Sequence, residues 1–321
     1  MSRSSNGFVL VSVLWVVALL TVITISYHYR ARLEVRAARY SLDSAQARMT
    51  ARAALERGIL ELRNKTVFDA LRQDPTEAPR APSTHLGQSW AQVGDLYRDG
   101  GLLTPGDDFV NDVAQYHIED MERLININHV SDEMMAALPG ISLPVARRIH
   151  YRVTGDADAQ VNGQRFQDIS ELRSIRGLDD NAWYGDGDEP GLRDILTTYG
   201  DGHINVNTAP REVLASLPEI EESVVDDLLH IRSGPDGITG TRDDIGFSDW
   251  QAFSEQTGIS GDGLLALQQF CKFNSSCFKI TAVATRRGGM IHSECSAIVE
   301  VPDGSDVARI LSWSEESLGS P

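Results

Sequence analysis

The residues of this chain best suited to chemistry are carboxylates set on glycine-rich backbone. Two stretches carry them: Tyr184-Gly-Asp-Gly-Asp-Glu-Pro190, with Asp186 and Asp188, and Pro235-Asp-Gly-Ile-Thr-Gly-Thr-Arg-Asp-Asp244, with Asp236, Asp243 and Asp244. Oxygen-rich loops of this kind suit a hard cation such as Ca2+. Neither has the complete EF-hand spacing, and acidic glycine-rich stretches equally form solvated turns. Thiols are the second chemistry on offer. Cys271 and Cys277 could bridge across Lys-Phe-Asn-Ser-Ser, Cys295 could replace either partner, and one thiol is left over. No Cys/His cluster has zinc spacing. His203 beside Asp201 reads as a strand-end surface residue rather than a base, and no P-loop, dinucleotide, Gly-x-Ser-x-Gly or His-Glu-x-x-His pattern occurs. The sequence offers no catalytic residue and reads as that of a non-enzyme.

Charge separates the chain into two parts. Of a net -17 over 321 residues, positions 1 to 65 hold 10 Lys/Arg against 4 Asp/Glu, and the remainder 19 against 42. An acidic body argues against nucleic-acid binding, because phosphate contacts need positive charge.

Before that body comes Phe8 to Tyr27, an apolar run of 20 residues without a charge. As a helix it is about 30 Å long, the thickness of a bilayer's hydrocarbon core. It exceeds a cleavable signal's apolar region and no Ala-x-Ala site closes it, so it reads as a spanning helix. An export-type start also allows disulfides to persist. Arg3 alone precedes the span while Arg30, Arg32, Arg36 and Arg39 follow it, a count that by itself places the body in the cytoplasm. The helical pattern continues to about Lys65. Leu42, Ala45, Met49, Ala53, Glu56 and Leu60 predict an amphipathic stripe with one polar intrusion. The i,i+4 pairs Arg52–Glu56 and Arg57–Glu61 would add about 0.2–0.5 kcal/mol each. Pro75, Pro79 and Pro82 end the helix.

Gly7 followed by Phe8 and this helix resembles the prepilin leader of type IV pilins and type II secretion pseudopilins. The resemblance implies that a prepilin peptidase cuts between Gly7 and Phe8 and that Phe8 is N-methylated. It also places the far end of the helix outside the cytoplasm, against the arginine count. Such proteins usually carry glutamate as the fifth mature residue, where this chain has Ser12. That absence, together with the chain length, is similar to the minor pseudopilin K of type II secretion. A carboxylate buried in lipid is expensive and is kept where it finds a partner. A subunit at the tip of a filament, with nothing above it, has no such use for one.

A duplication follows at an offset of 79 residues: Ile125-Asn-Ile-Asn128 matches Ile204-Asn-Val-Asn207, and Leu138-Pro-Gly-Ile141 matches Leu217-Pro-Glu-Ile220. Each copy predicts an extended entry, a helix of about eight residues, a Leu-Pro turn and a second helix. Ser131 and Thr208 are expected as N-caps and Pro210 near a helix start. Phe166 to Leu178 and Phe247 to Phe253 each predict a further short helix. Asn126, Asn128, Asn205 and Asn207 are expected to hydrogen-bond nearby backbone where strand turns into helix. The pattern resembles helix-hairpin-helix or SAM-like units, some of which bind DNA. Here one turn, Pro139-Gly-Ile-Ser142, has a single glycine, and the other, Pro218-Glu-Ile-Glu-Glu222, has three acids where phosphate would sit. These are packing units. Gly202-His-Ile-Asn-Val-Asn-Thr-Ala-Pro210 also resembles a pseudopilin K signature. That resemblance implies a helical domain inserted in a pilin-type sheet, and calcium sites in the sheet-bearing domain, which adds Glu119, Asp120, Asp303 and Asp306 as metal candidates.

Residues 74–88 read as a linker or surface loop, Ser89 to Val93 and Asp108 to Glu119 as strands, and Phe278 to Thr285, Met290 to Glu300 and Val307 to Ser314 as a C-terminal antiparallel meander. The expected fold is α+β and type IV pilin-like: a long N-terminal helix packed on an antiparallel sheet, with a large all-helical insert. Its parts would be a leader (1–7), a transmembrane and amphipathic helix (8–65), the first part of the pilin-like domain (66–124), the insert (125–275, repeats starting near 125 and 204) and the last strands (276–321). The implied role is a minor pseudopilin at the tip of the type II secretion pseudopilus, nucleating or capping assembly and supporting export across the outer membrane. Its partners would be the I, J and H minor pseudopilins, the major pseudopilin, the prepilin peptidase, the inner membrane and secreted substrate. The alternative is a minor subunit of a type IV pilus or DNA-uptake machine. Either way the chain would cross the inner membrane once with its body in the periplasm.

Overall fold

The computed structural model describes residues 5–72, 83–95, 112–156, 161–187, 189–302 and 307–316. One unbroken helix, α1 (Ser5–Arg63), opens the chain. It contains no proline and, beyond Gly7, one glycine, so nothing in its interior interrupts the backbone ladder. At its end the Asn64 side chain donates to the Leu60 carbonyl (2.9 Å), and the chain turns into α2 (Lys65–Arg72).

Five strands form one sheet: β1 (Gly94–Asp95), β2 (Val113–Asp120), β3 (Cys277–Arg286), β4 (Ile291–Glu300) and β5 (Arg309–Glu316). They lie in chain order, each antiparallel to its neighbour. The C-terminal half of α1 covers one face. Ala51, Ala54, Leu55, Ile59 and Leu62 are buried against Tyr116, Ile118, Phe278, Ile280 and Val299. The helix packs so close at Gly58 that a Cβ there would stand 3.0 Å from Ile280 Cγ2 and 3.2 Å from Tyr116 Cδ2.

This is not the stripe expected from the large apolar residues. Leu42, Met49 and Leu60 lie on the open side of the helix, 58%, 71% and 43% exposed. Small residues face the sheet because they let the two backbones approach. The predicted ion pairs are rearranged for the same reason. Arg52 turns to Glu315 on β5 (2.5 and 2.9 Å), and Glu61, buried, accepts from the Tyr116 hydroxyl (2.7 Å).

After Asp120, whose register partner is Phe278, the chain leaves the sheet, and it returns at Cys277. The residues between build a second core around Ile127, Met135, Phe166, Leu192, Val213 and Phe253. The duplication appears as matched elements: Ile125–Asn126 with Ile204–Asn205, Asp132–Ala136 with Arg211–Ala215, and Leu143–Thr154 with Glu222–Arg232. The first helix of each copy has five residues, shorter than expected. Ser131 caps its helix, accepting from the Met134 N–H. Thr208 does not, because Pro210 occupies the N-cap position and the Thr208 hydroxyl is engaged elsewhere. Ile169–Ser174 is a 3-10 helix closed by an Asp168–Glu171 capping box, and Trp250–Thr257 is α-helical.

The stretch from Ser83 to Trp90 departs most from expectation. Ser83, Thr84, His85, Gln88, Ser89 and Trp90 are buried, and Ser89–Ala91 is a 3-10 turn rather than a strand. Asp69 of α2 holds this strap by accepting from the Ser89 N–H (2.7 Å) and the Gln88 amide (2.9 Å). Trp90 stands edge-on to Phe278, ring centroids 5.3 Å apart. Met121–Arg123, another 3-10 turn, leads from β2 into the helical unit.

Candidate functional site

Two features of the chain are built for more than packing. The first is the free part of α1. From Phe8 to Tyr27 its large apolar side chains are exposed, in contrast to the buried face after Ala47. The hydroxyls in this run turn inward on the helix itself. Ser12 donates to the Phe8 carbonyl (2.9 Å), Thr21 to Val17 (2.8 Å) and Thr24 to Leu20 (2.8 Å). These groups need no partner from lipid or protein, as a lipid-facing helix requires. Length and composition fit a membrane anchor.

The second is a buried polar junction where sheet, strap and helical unit meet. Asp120 ends β2 with its carboxylate buried. Its Oδ1 accepts from the Glu122 N–H (2.8 Å). Its Oδ2 accepts from Ser275 (2.6 Å), Thr208 (2.6 Å) and the Asn205 amide (3.1 Å). Burial pushes the Asp120 carboxyl above the ordinary carboxylate range even though each of these bonds pulls it down. Glu122, also buried, is raised by the same desolvation against the attraction of Lys272, 2.9 Å away. It accepts in addition from the Ser276 N–H (2.7 Å). Lys272 reaches Asp201 as well (3.0 Å). Burial alone would depress this ammonium, but the two carboxylates hold it above its usual value. Gly200, at φ +88, lies against Glu122: a Cβ there would meet its Cγ at 2.7 Å. From the strap, Thr84 accepts the Ser275 N–H on its hydroxyl (3.1 Å) and the Asn205 amide on its carbonyl (3.0 Å).

The asparagines show how the duplication was put to two uses. Asn128 exchanges hydrogen bonds with the backbone of Phe166, and Asn207 with that of Phe247, the same device in both copies. Asn126 turns inward to the Tyr199 and Gly200 carbonyls (3.0 and 2.9 Å), whereas its counterpart Asn205 faces the junction. Beneath the second copy, buried Arg232 donates to the Val206 and Ala209 carbonyls (3.0 and 2.7 Å). Desolvation lowers that guanidinium to about 10 despite Asp244 nearby. Val153 stands at the matching place in the first copy.

The metal candidates do not converge among the described residues, which contain no group of three or more His, Cys, Asp or Glu able to hold an ion. Asp236, Asp243 and Asp244 instead close their own loop. Asp243 accepts from the Asp236 N–H and Thr241, Asp236 from the Ile238 N–H, and Asp244 from the Gly240 N–H. Glu119 pairs with Arg123, Asp120 has its oxygens filled, and Asp186 is exposed on a two-residue ribbon. Asp188, Asp303 and Asp306 lie outside the described residues. The Cys271–Cys277 bridge is not formed: all three cysteines are free and buried. Cys271 packs in the helical core while Cys295 packs between sheet and α1, so the thiols serve different cores. His203 is exposed beside Asp201 (3.5 Å), a surface pair. Sequence reasoning missed Thr84, Glu122, Lys272 and Ser275. Nothing local to them signals a role, since their partners are remote in the chain.

An N-terminal helix, apolar at its start and laid at its end on an antiparallel sheet, defines a pilin-like fold whose apolar start fits a membrane anchor, here with a helical unit hung between two neighbouring strands. Within that class the chain is similar, in sequence and in fold, to the minor pseudopilin K of type II secretion. It is 26% identical over 270 residues to the type II secretion system protein K of Pseudomonas aeruginosa, covering 76% of this chain and 77% of that protein. Its fold matches a chain in the crystal structure of the GspK-GspI-GspJ complex from the type 2 secretion system of enterotoxigenic Escherichia coli. That match has a TM-score of 0.53 at 16% identity and covers 89% of this chain and 99% of the other. No protein-family model matches the chain.

Proposed function

We propose that this chain is a non-catalytic minor pseudopilin that sits at the tip of a type II secretion pseudopilus. There it nucleates or caps assembly with partners of the I, J and H types and so supports export across the outer membrane. The observation that carries this reading is the start of α1. Its exposed apolar surface is ready to pack beside other helices, while Ser12, at the place of the usual glutamate, is satisfied by the Phe8 carbonyl and presents no carboxylate to a neighbour. The helical unit, hung from one end of the sheet, supplies the bulk that would block addition above it. In this reading the prepilin peptidase cuts between Gly7 and Phe8, Phe8 is methylated, α1 crosses the inner membrane once and the body stands in the periplasm.

Mass spectrometry of the protein purified from a host with its prepilin peptidase is expected to give an N-terminal N-methyl-phenylalanine at Phe8. Any other mature N-terminus overturns the processing step. Co-expression with I- and J-type pseudopilins followed by pull-down is expected to retain a complex. Retention by type IV pilus minor pilins, with none by type II partners, would move the subunit to the other machine.

A further inference from the structure

The helix leaves its apolar run at Tyr27 and takes on charge at once. His28, Arg32, Arg36 and Arg39 follow at spacings of four, four and three, which puts them on one face of α1. All are exposed, and Arg30, Arg32, Arg36 and Arg39 form no ion pair with any described residue. The next acid along that face, Asp43, is already taken by Arg287 (2.5 Å). Glu34 stands on the opposite side with Arg30, four positions away.

The level of this stripe is fixed by the span. Tyr27 and Tyr29, 75% and 65% exposed, sit where amphipathic rings mark a membrane–water boundary. At 1.5 Å per residue, Arg32, Arg36 and Arg39 begin about 7, 13 and 18 Å beyond Tyr27. Helical Cα–Cβ bonds tilt toward the N-terminus, so these long side chains lean back toward the bilayer. Its headgroup layer is about 5–7 Å deep on each side, so Arg32 enters it, Arg36 reaches its outer edge through its long side chain, and Arg39 attracts it from within a Debye length of about 8–10 Å.

We propose that this face binds the headgroups of anionic phospholipids in the leaflet from which residues 28–39 emerge. A guanidinium offers phosphate a planar fork of donors, and arginines without acidic partners keep that fork free. The stripe also answers a difficulty raised by the rest of the molecule. Beyond residue 65 the chain holds 19 Lys/Arg against 42 Asp/Glu, so an anionic membrane surface repels the body. A basic collar between span and body offsets that repulsion and sets the depth of the helix. The inference requires only that Phe8 to Tyr27 spans a bilayer, and it stands whichever filament the subunit serves.

The test uses the full chain in vesicles of equimolar phosphatidylcholine and phosphatidylglycerol, with spin-labelled forms of each lipid to read which one the protein immobilises. Wild type is expected to prefer phosphatidylglycerol. Combining Arg32→Gln, Arg36→Gln and Arg39→Gln is expected to cut that preference by roughly threefold or more, while Arg48→Gln, about 30 Å beyond Tyr27, leaves it unchanged. Resistance to carbonate extraction confirms that each variant is inserted. Raised salt on the unaltered chain gives an independent reading and is expected to weaken the preference. Absence of preference in wild type, or an unchanged preference in the triple variant, overturns the proposal. So does a triple variant that keeps its lipid preference but no longer captures pilin-type partners, because the face would then be a protein interface.

Discussion

Asp120 serves the junction with two oxygens and no substitute is available among the other side chains. Asparagine would aim an amide at the Glu122 N–H or at the Ser275 and Thr208 hydroxyls, and alanine would leave all these donors without an acceptor. A buried group left unsatisfied costs about 1–3 kcal/mol, so Asp120→Ala is expected to lower the unfolding free energy by about 2–4 kcal/mol in a urea titration. The junction also has a pH signature. Burial raises Asp120 and Glu122, so the folded state takes up their protons before the unfolded chain does. Their contribution to stability therefore rises as pH falls from neutral through the raised values toward the unfolded values of 3.8 and 4.5. Asp201, held low by the His203 N–H and Lys272 against the effect of burial, works oppositely, losing stability as pH falls below 3.8. Asp120→Asn is expected to flatten the rise, and identical slopes in wild type and variant would show that Asp120 does not titrate there. The thiols should be silent. Burial lifts Cys271 and Cys277 to about 12 and Cys295 to about 11, so native protein is expected to resist iodoacetamide at mildly alkaline pH and the urea-unfolded chain to react at all three. At this scale the sequence was legible where a partner is near, as with Ser131 capping its helix three residues on. It was opaque where Asp120 meets Asn205, Thr208 and Ser275, which stand 85, 88 and 155 residues away.

Among the elements, α1 was plain from its length and apolar start, but its rotation on the sheet was not. Counting large apolar side chains selects Leu42, Met49 and Leu60, whereas contact is made through Ala51, Ala54 and Gly58 with Leu55, Ile59 and Leu62. A helix-period count weights bulk, and close packing on a sheet rewards the lack of it. Gly58 tests this directly. In an exposed helix, replacing glycine with a good helix former would gain up to about 1 kcal/mol. Against Ile280 and Tyr116, Gly58→Leu is instead expected to cost about 2–3 kcal/mol of stability by chemical denaturation. A gain would mean that the helix can lift off the sheet without penalty. The duplicated helices were visible through their 79-residue offset, since each copy repeats both its apolar positions and its asparagines. The strap was invisible because its burial depends on Asp69, Gln88 and Trp90 meeting, which no local period records.

For the whole molecule, the decisive fact is that Asp120 and Phe278 are register partners. The helical unit occupies the position of a hairpin turn between β2 and β3, and nearly half of the chain passes through that gap. Replacing residues 121–277 with a short Asn-Gly turn is expected to leave sheet and α1 folded, read as retained amide protection in β2, β3 and β4. Loss of protection there would show that the unit and the strap hold the sheet together. The same placement decides how the molecule bears force. A load applied to the helical unit enters the sheet through two adjacent strand ends, and pulling on them peels β2 from β3 one residue pair at a time, from Asp120–Phe278 toward Val113–Thr285. Strands opened this way yield far more easily than strands slid lengthwise, where many bonds must break at once. Resistance then falls first on the groups that close the fork, Glu122 with Lys272 and Asp120 with Ser275 and Thr208. If the subunit stands at the tip of a pseudopilus as proposed, any pull on the helical unit is carried by this clasp before it reaches the sheet.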